Sequence, residues 1–286
     1  MSASSVVPLA LDATDDVRDD IERARERAAA RSRSLRVKTT IVQLVSLALV
    51  LGVWEIVGRN TSPALFTPPS AVARAGAEMI VSGELWKYLG PSLLVLGLGL
   101  TISIVLGVGI GVILARSWLV DVALGPYVTF LYSTPAVALV PLIVLWTGYE
   151  LKAKVIILVL FAFFPMVINT YQGVKNVDPK LLEVGKAFRC TESQLWVNIV
   201  LPAALPFIIA GLRLAVGRGL IGMVLADLYT AISGIGYLIV RSAATYRVDR
   251  MFVPIVTLGI LGIVFTAIVT WFERRAVPWT RASGRD

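Results

Sequence analysis

Few residues in this 286-residue chain have the chemistry to do more than pack. Histidine is absent and cysteine occurs once, at Cys190, so neither a Cys/His metal site nor a disulfide framework is available. Gly185-Lys186 lacks both the upstream glycine and the following Ser or Thr of a P-loop, so ATP hydrolysis by that route is excluded. No G-x-S-x-G elbow presents a serine nucleophile. No catalytic residue, metal ligand or cofactor is assigned, and an enzyme is not expected. What remains is a handful of polar side chains inside apolar runs. Arg218 and Asp227 stand in one such run, followed by Tyr229; Ser133 and Thr134 precede Pro135 in another; Asn169 lies near the end of a third. An arginine at mid-span costs at least about 2.5–3.5 kcal/mol unless it faces protein or water, so Arg218 should face the bundle or a path through it. Two roles are open for it: a structural bond to carbonyls or to Asp227, and attraction of an anion. A proline inside a span frees a carbonyl, and Ser133 or Thr134 can re-satisfy backbone or face a cavity.

The elements that must position these side chains are membrane spans. Hydrophobic residues make up 57% of the chain and charged residues 16%, with mean hydropathy +0.79. Soluble domains carry charge on about a quarter of their residues. Apolar runs near the length that crosses a bilayer are expected at about residues 40–58, 89–115, 126–148, 155–173, 205–225 and 251–272. The fold class is therefore all-α and polytopic, with about six transmembrane helices. A short amphipathic helix over 71–82 should follow the extended entry set by Pro68-Pro69. Gly97, Gly99, Gly107, Gly109 and Gly111 in the second run let neighbouring helices approach closely.

Charge sets the orientation. Residues 1–38 read as a charged cytoplasmic tail, acidic from Asp12 to Asp20 and basic from Arg23 to Lys38, whose basic end meets anionic lipid. Residues 39–286 read as the transmembrane domain. Arg31, Arg33, Arg36 and Lys38 before the first span, and Arg274, Arg275, Arg281 and Arg285 after the last, place both termini in the cytoplasm. Lys152, Lys154 and the segment from Arg241 to Arg250 then fall outside, the latter as a short helix. The net charge of +8 is explained by this bias and does not call for nucleic acid. The first 38 residues have no apolar core of the kind a cleavable signal peptide needs.

The longest amphipathic break in the apolar sequence runs from Asp178 to Pro206. Asp178 is a good N-cap and Pro179 suits the first helical position. Thr191 and Gln194 form a capping box that starts a second helix at about Glu192, with Arg189-Cys190 as the turn between. Leu181, Leu182, Gly185 and Phe188 can share a face of the first helix, leaving Lys180, Glu183 and Lys186 wet. Pro202 and Pro206 should disturb the second helix. Glu183-Val-Gly followed by Ile199-Val-Leu201-Pro202 resembles the E-A-A-x3-G-x9-I-x-L-P loop of ABC importer permeases. The match keeps the Glu, the Ile-x-Leu-Pro end and the full spacing. It departs at Val184 and Gly185, where alanines are usual, and at Arg189, where glycine is usual; a non-glycine residue enters the left-handed turn at a cost of about 1–2 kcal/mol. Leu65-Phe-Thr-Pro-Pro-Ser70 and the phrase from Thr134 to Gly148 resemble the sulfonate/taurine/nitrate-type branch of that family.

The resemblance covers nearly the whole chain from about residue 40. It implies a permease subunit in a bacterial cell membrane, paired with a second copy of itself and served by a cytoplasmic ABC ATPase dimer and an external solute-binding protein. Leu182, Glu183, Gly185, Phe188 and Arg189 would couple to the ATPase. Ser133, Thr134, Asn169, Arg218, Asp227 and Tyr229 would line the path of a small anionic solute. Two other classes were weighed. A secondary, ion-coupled transporter predicts internal repeats and midplane carboxylates, but no repeat is visible and Asp227 is nearly alone. A membrane scaffold that docks a soluble partner explains the amphipathic break but not Arg218, Asp227 or the proline-rich third run. Because the tail precedes the resemblance and has no apolar face, deleting residues 1–30 should leave solute uptake by intact cells within about twofold, a cost of roughly 0.4 kcal/mol at most.

Overall fold

The computed structural model describes residues 38–277, and among them every regular element is helical. The chain divides into two compact units, Met1–Thr61 and Ser62–Asp286. The expected tail over residues 1–37 lies outside the described residues, as do Arg281 and Arg285. In the first unit the described residues form α1 (Lys38–Arg59), an apolar helix of 22 residues. Arg59 Nε donates to Glu55 Oε1 at 2.7 Å, one turn back.

The second unit begins with α2 (Pro69–Val81), the expected amphipathic helix, which Pro69 opens from an extended Pro68. Gly83, at φ 76°, turns the chain into α3 (Glu84–Arg116), 33 residues long. That is about 50 Å at 1.5 Å per residue, and longer than the apolar run alone indicated. α4 (Trp118–Ser133) leads through a 3-10 turn (Ala136–Leu139) to α5 (Val140–Thr147). Next come α6 (Leu151–Lys175), α7 (Pro179–Ala187) and α8 (Glu192–Leu195). α9 (Leu201–Thr230), α10 (Ile235–Ala244) and α11 (Val248–Ala276) complete it. Among the described residues five helices are long and apolar enough to cross a membrane, and α4 with the turn and α5 has the length and composition of a sixth, sharply bent segment.

Three expectations change. The third run is not one helix: its halves meet at 89°. Pro135 has no N–H to continue the helix and forces Thr134 into extended backbone, at φ −71° and ψ 134°. Thr134 Oγ1 donates to Phe130 O at 2.9 Å and closes the severed end. The fifth run is not interrupted at Pro202 and Pro206. A π-turn at Trp196–Val200 lets Leu201 N–H reach back to Trp196 O, and the wider turn takes up the prolines so that α8 and α9 form one continuous path. The short helix expected between Arg241 and Arg250 is α10, which begins earlier, at Ile235, with Gly234 at its N-cap, and ends at Ala244.

The core lies where α6 runs between α3 and α9. Leu158, Ala162 and Met166 of α6 pack with Val95, Leu96 and Leu100 of α3 and with Ala215 and Met223 of α9. In an apolar solvent the water-driven term between helices is small, and close approach of backbones must supply the attraction. α3 provides it through Gly99, Gly107 and Gly111, which lie over Leu158, Met166 and Thr170 of α6. Gly97 and Gly109 face open space and do not take part. Gly111→Leu should therefore lower the thermal midpoint of the detergent-solubilised protein by the equivalent of about 1–3 kcal/mol of overpacking. Gly109→Ala should leave it nearly unchanged. Circular dichroism melts of the two variants check this.

Candidate functional site

Three polar assemblies stand out against this apolar frame. The first is α7 with α8. Asp178 Oδ1 accepts from Lys180 N at 2.9 Å, and Thr191 and Gln194 close the capping box in both directions. Between them α7 ends as the spacing implied. Arg189 sits at φ 54°, its N–H donates to Lys186 O, and Cys190 N–H donates to Gly185 O at 3.0 Å. This is a Schellman closure with arginine in the glycine position. The faces of α7 differ from expectation. Gly185 is buried against Leu195 and Ile199, where any Cβ would lie within 2.7 Å of their side chains, and Leu182 is half-buried. Leu181, Val184 and Phe188 point the other way and are exposed, Phe188 to 80%. Glu183 and Arg189 are also exposed. The reason is geometric: α8 and the π-turn occupy the side of α7 that Gly185 opens, so the i, i+3, i+7 stripe is left outward. Arg116 Nη2 donates to Glu192 Oε2 at 3.0 Å across solvent and ties α3 to this end.

The second assembly is at the opposite end of α9. Asp227 is fully buried and its carboxylate is completely engaged. Lys154 Nζ donates to Oδ1 at 2.7 Å and Ser92 Oγ to Oδ2 at 2.6 Å. Lys154 spends its other two N–H donors on Ser233 O at 2.6 Å and Ser233 Oγ at 3.0 Å. Ser92 Oγ in turn accepts from Ile235 N at 2.8 Å. The turn from Ala231, at φ 48°, to Gly234, at φ 98°, is wrapped around this carboxylate so tightly that a Cβ on Gly234 would overlap it. Lys154 is buried, at 3% exposed, and Asp227 pairs with it and not with Arg218. A sequence signal for this existed. Lys154 precedes Ile157 and Leu158 by one turn, on the buried face of α6, whereas Lys152 does not.

The third assembly surrounds Arg218. Its guanidinium carbon lies 4.8 Å from the centre of the Tyr132 ring, and Nη2 donates to Tyr132 Oη at 3.1 Å. Arg218, Tyr132, Ser133, Thr134 and Phe161 are among the walls of a cavity of about 310 Å³ at the break between α4 and α5. Three of the expected path residues, Ser133, Thr134 and Arg218, thus come together. The other three do not join them. Asn169 Nδ2 donates to Pro165 O at 2.8 Å in its own helix and packs on Gly211. Asp227 is locked in the second assembly, and Tyr229 is exposed. A residue that the sequence reading did not single out, Tyr132, holds Arg218. It also borders a second cavity of about 670 Å³ toward the α7 end. Asp121 lies there, with Oδ2 accepting from Tyr171 Oη at 2.9 Å and from Lys175 Nζ at 3.0 Å.

The helical bundle has spans long enough to cross a membrane, an exposed cation beside a cavity and an amphipathic hairpin at one end. It is a multi-pass inner membrane transport subunit. The chain belongs to the family of binding-protein-dependent transport system inner membrane components, whose sequence model matches residues 107–278. It is 32% identical to the Bacillus subtilis permease SsuC, named for aliphatic sulfonates transport, over 81% of this chain and 85% of that one. The taurine transport system permease protein TauC of Escherichia coli K12 is 27% identical over 82% of this chain and 88% of its own length. Among solved structures, an amino acid ABC transporter crystallised with histidines superposes with TM-score 0.57 at 18% identity, covering 70% of this chain and 97% of that one. The inward-facing MetNI methionine ABC transporter gives 0.55 at 17%, covering 67% and 95%. These two likenesses speak for the fold alone.

The buried pair carries a stability prediction. Lys154→Met or Asp227→Leu alone leaves a charge without its partner and should cost about 3–5 kcal/mol, read as a loss of the folded fraction in gel filtration. The double variant should recover most of that loss, because two apolar side chains replace both charges at once.

Proposed function

We propose that this chain, with a second copy of itself, forms the path of an ATP-driven importer for a small anion of the sulfonate, taurine or nitrate type. An external binding protein delivers the solute, and two cytoplasmic ATPase subunits drive the cycle. The observation that carries this reading is α7. Its outward stripe of Leu181, Val184 and Phe188 is apolar, flanked by Glu183 and Arg189, and exposed among the described residues. Exposed apolar patches with polar rims mark protein contacts. Gly185 presses the helix onto Leu195 and Ile199, and these run without a break into α9. A push on α7 is therefore a push on the span that carries Arg218. ATPase closure would bias the bundle between two packings through this connection. On this reading both termini share the α7 side of the membrane.

The anionic solute class is supported by Arg218, an exposed arginine bordering a cavity whose lining also includes Ser133, Thr134 and Tyr132. The names of the sulfonate and taurine permease relatives agree with it.

Copurification tests the proposal. Wild-type chain expressed with its chromosomal neighbours should bring down a P-loop ATPase. Phe188→Asp should weaken that association by tenfold or more, since a buried aromatic contributes about 1.5–3 kcal/mol. Glu183→Ala should weaken it or uncouple hydrolysis from transport. Both variants should still insert in the membrane. An ATPase that binds Phe188→Asp as tightly as the wild type would sink the assignment of α7.

A further inference from the structure

Tyr132 belongs to two cavities at once. It lines both the 310 Å³ cavity that Arg218 borders and the 670 Å³ cavity that Asp121 and Tyr171 border. Its ring sits in the last turn of α4, two residues before the 89° break at Thr134-Pro135. The break frees this turn from the helix that follows, and no residue of α4 is buried. What fixes the ring is a single cation: Arg218 lies over its face at 4.8 Å and donates to its hydroxyl at 3.1 Å. Among the described residues Tyr132 is the one hydrogen-bond acceptor of Arg218, and the remaining guanidinium donors are left for the cavity. A tyrosine face and hydroxyl are weak partners for a guanidinium. The cation–π term contributes about 0.5–2 kcal/mol, and a charged oxyanion makes hydrogen bonds roughly twice as strong as a neutral oxygen does.

We propose that Tyr132 is the partition between the two cavities and that Arg218 is its latch, released when an oxyanion takes the guanidinium from the Tyr132 hydroxyl. The tyrosine stands in for the solute while the path is empty. An anion with two or three coplanar or tetrahedral oxygens, such as a sulfonate, displaces the hydroxyl by forming a forked bond to Arg218. The freed ring then swings at the α4–α5 joint and connects the cavities. A cation or a neutral solute cannot release the latch, so selectivity and opening are the same event. The Asp121 carboxylate on the far side is offset by the charge of Lys175 and hydrogen-bonded by Tyr171, which weakens its repulsion of a passing anion. This inference rests on the reading of Arg218 as the cation of an anion path.

Passive flux through the assembled transporter tests it. Proteoliposomes carry the transporter purified with its copurifying ATPase, without ATP, and efflux of radiolabelled ethanesulfonate and of ethylammonium is followed. Tyr132→Ala should raise ethanesulfonate efflux at least tenfold over wild type and favour it over ethylammonium by at least tenfold. Tyr132→Phe keeps the ring but removes the hydroxyl bond to Arg218, and its ethanesulfonate efflux should fall between those of wild type and Tyr132→Ala. Adding Arg218→Gln to Tyr132→Ala should keep the leak and erase the preference for the anion. Gel filtration confirms assembly of each variant, and Tyr132→Val is held to the same thresholds should the alanine variant not assemble. A sealed Tyr132→Ala, a Tyr132→Phe as leaky as the alanine, or a leak that passes both ions equally overturns the proposal. If no ATPase copurifies with the wild type, the underlying importer reading falls instead, and the two failures are told apart.

Discussion

The Lys154–Asp227 pair is the interaction on which the far half of the bundle depends. An isolated charge in an apolar interior is too costly to keep, and here two opposite charges are buried together. They are tolerable because every donor of the ammonium and both oxygens of the carboxylate are engaged, through Ser92 on α3, Ser233 in the turn and the backbone of α10. The consequence is mechanical. One small polar knot fixes α3, α6, α9 and α10 at the same point, and the tight turn from Ala231 to Gly234 has no freedom to move independently of them.

The opposite end of the same helices is arranged on the contrary principle. There the charges are exposed and the ion pairs, such as Arg116 with Glu192 and Lys175 with Asp121, are at or near solvent. Such pairs contribute little to stability and allow rearrangement. α7 is attached at this loose end, while its apolar stripe faces away from the protein. Between the rigid end and the loose end lies the broken span, where a proline has uncoupled α4 from α5. A displacement entering through α7 would thus be resisted at Asp227 and absorbed at Thr134-Pro135, beside Arg218 and Tyr132. This division of stiffness follows from where the polar groups are paired and where a helix lacks a hydrogen bond.

Glycine sets how closely the spans can lie. The stripe Gly99, Gly107 and Gly111 on α3, together with Gly211 and Gly222 on α9, brings α6 within reach of both neighbours along its length. Without that approach Lys154 of α6 would not reach a carboxylate on α9. Packing and electrostatics are therefore not separate contributions here: the small residues make the distance, and the ion pair fixes the register.

Much of this was legible in the chain. Composition and the length of the apolar runs determined a helical membrane protein, because a backbone in lipid must satisfy its own hydrogen bonds. Local capping chemistry determined the hairpin of α7 and α8 almost residue by residue, since Asp178, Pro179, Thr191 and Gln194 act on neighbours two or three positions away. The motif pointed to a left-handed turn at Arg189, but with arginine where glycine is usual only the structure settled that the turn is kept. Tertiary structure alone decided the partners of the isolated charges. Asp227 lies nine residues after Arg218 in sequence but bonds to Lys154, and Arg218 bonds to Tyr132, because helix rotation and glycine contacts, not sequence distance, bring side chains together. It also decided which face of α7 is buried, since that depended on where α8 came to rest. The 89° bend at Pro135 lies between these cases: the proline announces a break, but its angle is set by what the two halves pack against.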